Sequence, residues 1–301
     1  MALERPFVVS REALGAMLTR TSGALRCERL WVAGTLRPLK GPAVAIVGSR
    51  APSDGARSRS HELARRLAQA GVCVVSGLAL GIDGAAHAGA LTGGGATVGV
   101  LGGGHDRFFP ARNRALAEAM IAGGGAVVSP YEPGTPPRPF QFLQRNGIVA
   151  ALVDAIVIVE AAARSGALNT AGWGADLGVD VLAFPGDVDR PKAAGCNALI
   201  RDGATLVRHA GDVLEALGRA APAAAAASAA PETTLGEADD AVARLVARTL
   251  HARGPLELEA IVALANVPAG DVLATLVRME LGGTIEHRPG GIYARAERTH
   301  A

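Results

Sequence analysis

Cysteine is scarce here: Cys27, Cys73 and Cys196 lie far apart in a chain of 301 residues, with no C-x-x-C spacing. That excludes a disulfide framework and a zinc site built on paired thiolates, and it fits a reducing compartment. Lysine is scarcer still, with only Lys40 and Lys192 among 30 basic residues. Neither sits in a glycine loop and no G-x-x-x-x-G-K-[ST] occurs, which removes nucleotide hydrolysis of the P-loop type. No G-x-G-x-x-G follows the first strand of the main α/β region, because Gly48-Ser49-Arg50 puts an arginine where the second glycine belongs. A G-x-S-x-G elbow and an H-E-x-x-H are also missing, so dehydrogenase, serine-hydrolase and zincin chemistries go unsignalled. Neither a metal nor a cofactor is expected. Long apolar runs are absent as well: the longest, Ile148 to Val159, is interrupted by Asp154. The opening MALERPFVVS carries charges where a signal peptide needs an apolar stretch, so a cytoplasmic protein without a membrane span is expected. An excess of one charge is lacking too, since 30 basic residues face 28 acidic ones. No overall field draws the chain to a polyanion, and any anion site must be local.

What is present is a repeating pattern. Short β-branched runs recur between Ala-, Leu- and Arg-rich stretches: Val44 to Val47, Val72 to Val75, Thr97 to Leu101, Ala126 to Val128, Ala155 to Val159, Val181 to Phe184 and Ala204 to Val207. Each is apolar on both faces, as strands of a helix-covered parallel sheet must be. The expected fold is α/β, a doubly wound parallel-sheet Rossmann-like domain of about seven strands over residues 43–218, behind a short lead-in over 1–42. Residues 219–237 form an Ala/Pro-rich linker without the bulk for a core. Residues 238–296 then show helix-spaced apolar positions: Val242, Leu245, Val246 and Leu250, then Ile261 and Leu264. A third helix from Pro268 is expected to carry Val272, Leu273, Leu276 and Val277 inward. Thr284 to His287 and Ile292 to Ala294 flank Arg288-Pro289-Gly290-Gly291 as a hairpin, completing a small C-terminal winged-helix domain. From 238 to 301 it holds seven arginines against eight acids, so it lacks the basic face of a duplex reader.

In open parallel sheets the ligand crevice lies beyond the carboxyl ends of the strands. Those ends are glycine-rich: Gly48-Ser49-Arg50, Ser76-Gly77-Leu78-Ala79-Leu80-Gly81 and Gly102-Gly103-Gly104. Glycine lets backbone N–H groups approach an anion, and Arg50 adds a forked, permanent charge. Such loops either line a phosphate site or merely make tight turns. Aromatics are only 3% of the chain, yet Phe140 and Phe142 stand between Arg138 and Arg145. A cationic track with a ring for stacking is how single-stranded nucleic acid is commonly held, although either phenylalanine could instead be core. Asp83 and His87, four apart, could form an acid-base pair, but Asp83 is expected to cap its helix with His87 packed behind. Cys73 reads as core. His105-Asp106 and Glu160 lack a partner that would confirm catalysis.

Several strings together resemble the bacterial DNA-processing protein A family, also called Smf. They are VAIVGSR (44–50), VVSGLALGIDGAAHAGAL (74–91), VGVLGGGHDRFFPARNRAL (98–116), FLQRNGIVAAL (142–152), VIVEAAARSGALNTA (157–171), and FPGDVD followed by AGCNALIRDGA (184–204). The resemblance implies a non-catalytic single-stranded DNA-binding protein that protects incoming DNA in natural transformation and loads the RecA recombinase, working as a homodimer. It implies nucleic-acid contacts at Gly48, Ser49, Arg50, Ser76, Gly77, Gly81, Gly102, Gly103, Gly104, Asn113, Arg145 and Asn146, with Phe142 as a stacking neighbour. Gly147 departs from the family's usual Arg-Asn-Arg and removes one basic group from the track. The lead-in before Val44 is expected to leave no room for the N-terminal helical extension of many relatives. A rival from another class is a nucleoside monophosphate phosphoribohydrolase using Glu160 as acid or base. A third is a scaffold that has lost DNA binding.

Overall fold

The computed structural model describes residues 5–14, 27–219, 237–265, 267, 269–282, 284–288 and 291–295. The chain divides into two units, residues 1–229 and 230–301. The expected linker falls, apart from Arg219 and Glu237, outside the described residues.

The first unit is built on a sheet ordered β1-β2-β6-β5-β4-β3-β7-β8-β9. The strands β3 (Ala43–Val47), β4 (Cys73–Ser76), β5 (Thr97–Val100), β6 (Ala126–Ser129), β7 (Ala155–Ile158), β8 (Asp180–Ala183) and β9 (Thr205–Leu206) pair in parallel. They are the seven read from the sequence. The lead-in is a correction: β1 (Phe7–Ser10) and β2 (Arg29–Gly34) extend the sheet antiparallel beyond β6, with Val32 opposite Val128. β2 buries Leu30, Val32 and Ala33 and so is covered on both faces, its apolar run Leu30 to Ala33 matching those of the parallel strands, whereas β1 as the edge strand leaves Phe7 and Val8 exposed.

Helices cover both faces. On one, α2 (Asp54–Gln69), α3 (Ile82–Thr92) and α8 (Ala210–Ala216) bury Leu63, Leu67, Ile82, Ala86 and Val213 against Val44, Ile46 and Val74. On the other, α5 (Pro139–Ala151) and α6 (Gly166–Leu177) bury Ile148, Val149, Ala167 and Ala171 against Ala45, Val47 and Ile158. The remaining helices are α1 (Arg11–Leu14), α4 (Arg114–Ala122) and α7 (Ala194–Arg201). The apolar run Ile148 to Val159 is thus the end of α5 and the central strand β7, a core segment. Among the described residues no single helix is long and apolar enough to cross a membrane. The three cysteines are buried and unpaired, and burial pushes the Cys73 thiol up to about 12.

From β3 the chain winds outward through β4, β5 and β6, then returns to the other side of β3 for β7, β8 and β9. This reversal opens a crevice above the carboxyl end of β3, the position at which doubly wound sheets take ligands.

The second unit contains α9 (Glu237–Arg253), β10 (Leu256–Glu257), α10 (Leu258–Ala265), α11 (Ala269–Leu281), β11 (Ile285–Arg288) and β12 (Ile292–Arg295), with the sheet ordered β10-β12-β11. This is the expected winged helix. Its core joins Val246, Leu250, Ile261, Val272, Leu276, Ile285 and Tyr293. Leu273 and Val277 are corrections: both face outward, a turn of about 100° from Val272 and Leu276, because three short helices bury only a narrow stripe of α11. Pro268 lies outside the described residues.

Candidate nucleic-acid interface

The crevice above β3 holds a cleft of about 330 Å³. Its walls are Gly48 and Arg50 after β3, Gly77 and Ala79 after β4, Phe142, Arg145 and Asn146 on α5, and Ser165 to Ala167 at the start of α6. Four segments spread over residues 48–167 therefore meet in one opening.

Phe142 is its centre. The Arg50 guanidinium lies over the Phe142 ring at 5.5 Å from the centroid and that of Arg145 at 5.9 Å. The two cations differ in what they can do. Arg50 is exposed and makes no hydrogen bond or ion pair among the described residues, leaving its donors to solvent. Arg145 is only 3% exposed and donates to the carbonyls of Gly77 and Val100, the latter at 2.6 Å, while its Nε has no partner. Burial, with Arg50 nearby, pulls Arg145 down to about 10, against the opposing pull of Asp83. Burial likewise raises Asp83, a shift that Arg145 and two backbone N–H donors resist.

Several predicted contacts turn out to build the cleft wall. Asp83 is corrected from helix cap to loop anchor: Gly81 is the residue preceding α3, and the Asp83 carboxylate accepts from Gly77 N–H at 3.1 Å and Ala79 N–H at 3.3 Å. A carboxylate in that place already occupies amides that the glycine-loop argument reserved for phosphate. Asn113 pins the same loop from the other side, donating to the carbonyls of Leu78 and Ala79 at 2.9 Å. Gly77 has no room for a Cβ, which would meet the Arg145 guanidinium, and Gly81 takes φ +85 with a would-be Cβ against the Ser49 and Arg50 backbone. Asn146 donates to Gly166 O and Asn169 Oδ1, fastening the start of α6 to α5.

Others lie behind the wall. Ser76 is fully buried and its hydroxyl donates to Ile46 O. Gly102, Gly103 and Gly104 are buried beneath the Phe142 ring, Pro137 and the carbonyls of Glu132 and Pro133, and Gly104 N–H is spent on Thr135 O. The glycines there allow close packing, the turn-making reading that the sequence left open. The Ser49 amide donates to Glu160 O at 2.7 Å. His87 is buried, and since the Thr97 hydroxyl donates to Val74 O, His87 Nδ1–H donates to Thr97 and Nε2 stays bare. Burial pulls this imidazole down to about 3, so it is a neutral core residue.

A second cleft of about 210 Å³, lined by Arg59, Glu160, Phe184, Arg190 and Lys192, lies on the other side of β3. Glu160 accepts from the Ser53 N–H at 3.1 Å and hydroxyl at 2.6 Å, while Lys192 Nζ donates to Ala51 O at 2.7 Å.

Residues 18–218 match the family model described as DNA recombination-mediator protein A, and residues 219–291 match the DprA winged helix domain. The chain belongs to the DNA recombination-mediator protein A family. It is 40% identical over 266 residues to the DNA processing protein DprA of Mycobacterium tuberculosis, covering 87% of this chain and 67% of that protein. The solved structure of DprA from Streptococcus pneumoniae superposes with a TM-score of 0.65 at 37% identity, over 71% of this chain and 75% of that one. DprA from Helicobacter pylori, whose structure was described for its single-stranded DNA-binding mode, gives 0.63 at 26% identity, over 71% and 96%. The strings 44–50, 74–91, 98–116 and 142–152 thus converge on the Arg50–Phe142–Arg145 cluster, whereas 184–204 lines the second cleft.

Sequence reasoning missed one wall of the cleft. Ser165, whose hydroxyl accepts from Ala167 N–H, caps α6 and aims its N-terminal turn at the opening. The signal is present as the Ser165-Gly166 step after the strand that neighbours β3.

Proposed function

We propose that this chain binds single-stranded DNA through the cleft above β3. The observation that carries the reading is the placing of two guanidinium groups on one phenyl ring beside an open cleft. Like charges so arranged repel one another, and a passing phosphate relieves that repulsion. Arg50 is the phosphate ligand, the α6 N-terminal turn adds partial positive charge, and Arg145, Asp83, Asn113 and Asn146 hold the walls. The mixed charge of the whole chain suits a local contact with a few consecutive phosphates. Such contacts read backbone, so sequence preference is weak.

The names of the relatives support extending this reading to DNA processing; we further propose a role in natural transformation, in the cytoplasm, with a homodimer presenting two clefts to one strand and handing it to RecA. Two linked clefts raise affinity through effective concentration. The phosphoribohydrolase reading loses ground because Glu160 spends its carboxylate on Ser53, the residue that caps α2.

The test is a salt titration with labelled oligothymidine. About three phosphates per protomer give a log-log slope near −2, at roughly −0.7 per phosphate, and Arg50→Ala reduces it by about 0.7. An unchanged slope and affinity in Arg50→Ala refute the cleft as the site. Duplex of equal length binds more weakly if the reading holds.

A further inference from the structure

An unpaired base needs an aromatic face open to solvent, and Phe142 is itself partly covered. Its ring lies on Gly102, where even a Cβ has no space, and carries the guanidinium groups of Arg50 and Arg145 within 6 Å. Its remaining ring neighbour is Phe109, with centroids 5.9 Å apart and planes at 61°. Phe109 itself is 52% exposed. A solitary exposed phenylalanine would need no explanation. Phe109 is not solitary: it is the outermost member of a packed series that runs from Arg50 through Phe142, and it stands against the ring that walls the cleft. Edge-to-face packing on a half-buried ring holds Phe109 in place while about half of its surface stays open to solvent, which is how a stacking platform keeps down the ordering cost of binding.

We propose that Phe109 is the base-stacking residue of the cleft and that Phe142 is its support. The ligand is an unpaired nucleobase whose neighbouring phosphate is held by Arg50, so the inference rests on the single-stranded DNA reading and adds a base contact to it. Stacking on phenylalanine accepts any base, in keeping with weak sequence preference.

The experiment uses the full chain with two probes of equal length, oligothymidine and an oligonucleotide of abasic sites that keeps the phosphates but has no rings. Phe109→Ala weakens oligothymidine binding about tenfold, since base–aromatic stacking is worth about 1–3 kcal/mol and about 1.4 kcal/mol is a factor of ten. The abasic probe binds the variant as it binds the parent, with the same salt slope. Phe109→Trp retains affinity, and its added emission is quenched by oligothymidine but not by the abasic probe. Phe7→Ala, at an equally exposed ring on the edge strand β1, leaves both probes unaffected. Undiminished oligothymidine binding by Phe109→Ala, or an equal loss on both probes, overturns the stacking role. Failure of the parent chain to bind oligothymidine overturns the DNA reading and this one together, whereas an unchanged Phe109→Ala beside a weakened Arg50→Ala overturns this one alone.

Discussion

Arg50 and Arg145 look alike in the sequence, each an arginine beside a polar residue in a family motif, and the structure gives them opposite duties. Arg50 keeps its donors free, whereas Arg145 is consumed by Gly77 and Val100. Their removal should separate accordingly. Arg145→Ala strips two buried carbonyls of a charged donor and Asp83 of a neighbouring countercharge, lowering unfolding free energy by about 3 kcal/mol. Arg50→Ala shifts it by less than about 0.5 kcal/mol, as exposed substitutions do. Urea unfolding of both variants checks this, and an Arg145→Ala variant as stable as the parent defeats the wall assignment. The difference was not legible beforehand because burial of a single side chain depends on what folds over it from distant segments. Gly77, at the far end of Arg145's reach, is 68 residues away in sequence.

Among the elements, strands were the most legible. Runs apolar on both faces marked all seven parallel strands, since central strands must bury both sides. β1 escaped because an edge strand buries little, and β2, though apolar on both faces from Leu30 to Ala33, stands before the alternation of strands and helices that marks the other seven. Leu273 and Val277 read as inward because helical spacing alone does not give the width of a buried stripe. Loops were legible as a place and less so as a mechanism. The glycine-rich strand ends do gather at the crevice, but Asp83, Glu160, Thr135 and close packing take up much of what those glycines provide. The junction of β7 with α2 shows the same economy, Ser53 capping the helix through Ala56 N–H while donating to Glu160. Ser53→Ala should cost about 1–2 kcal/mol by removing both roles, measured by thermal or urea unfolding. A variant of parental stability would mean that Glu160 does not depend on the hydroxyl.

At the scale of the molecule, the composition was informative by its near-neutrality. A chain with 30 basic and 28 acidic residues must concentrate positive potential to hold a polyanion, and the cleft above β3 is where two guanidinium groups are brought together. The winged-helix unit, with seven arginines and ten acids over residues 230–301, contributes no comparable excess. That division of charge between the units is consistent with strand binding by the first unit alone.

The near-absence of lysine also has a practical side. Lys192 anchors its ammonium on Ala51, next to Arg50, while Lys40 sits on the turn before β3, and both are exposed. An amine-acylating reagent thus has two side-chain targets in the whole chain, one beside the crossing point of the strand and one away from it. Oligothymidine should shield Lys192 from acylation and leave Lys40 reactive, a footprint readable by peptide mass; equal protection of both, or of neither, would place the strand elsewhere.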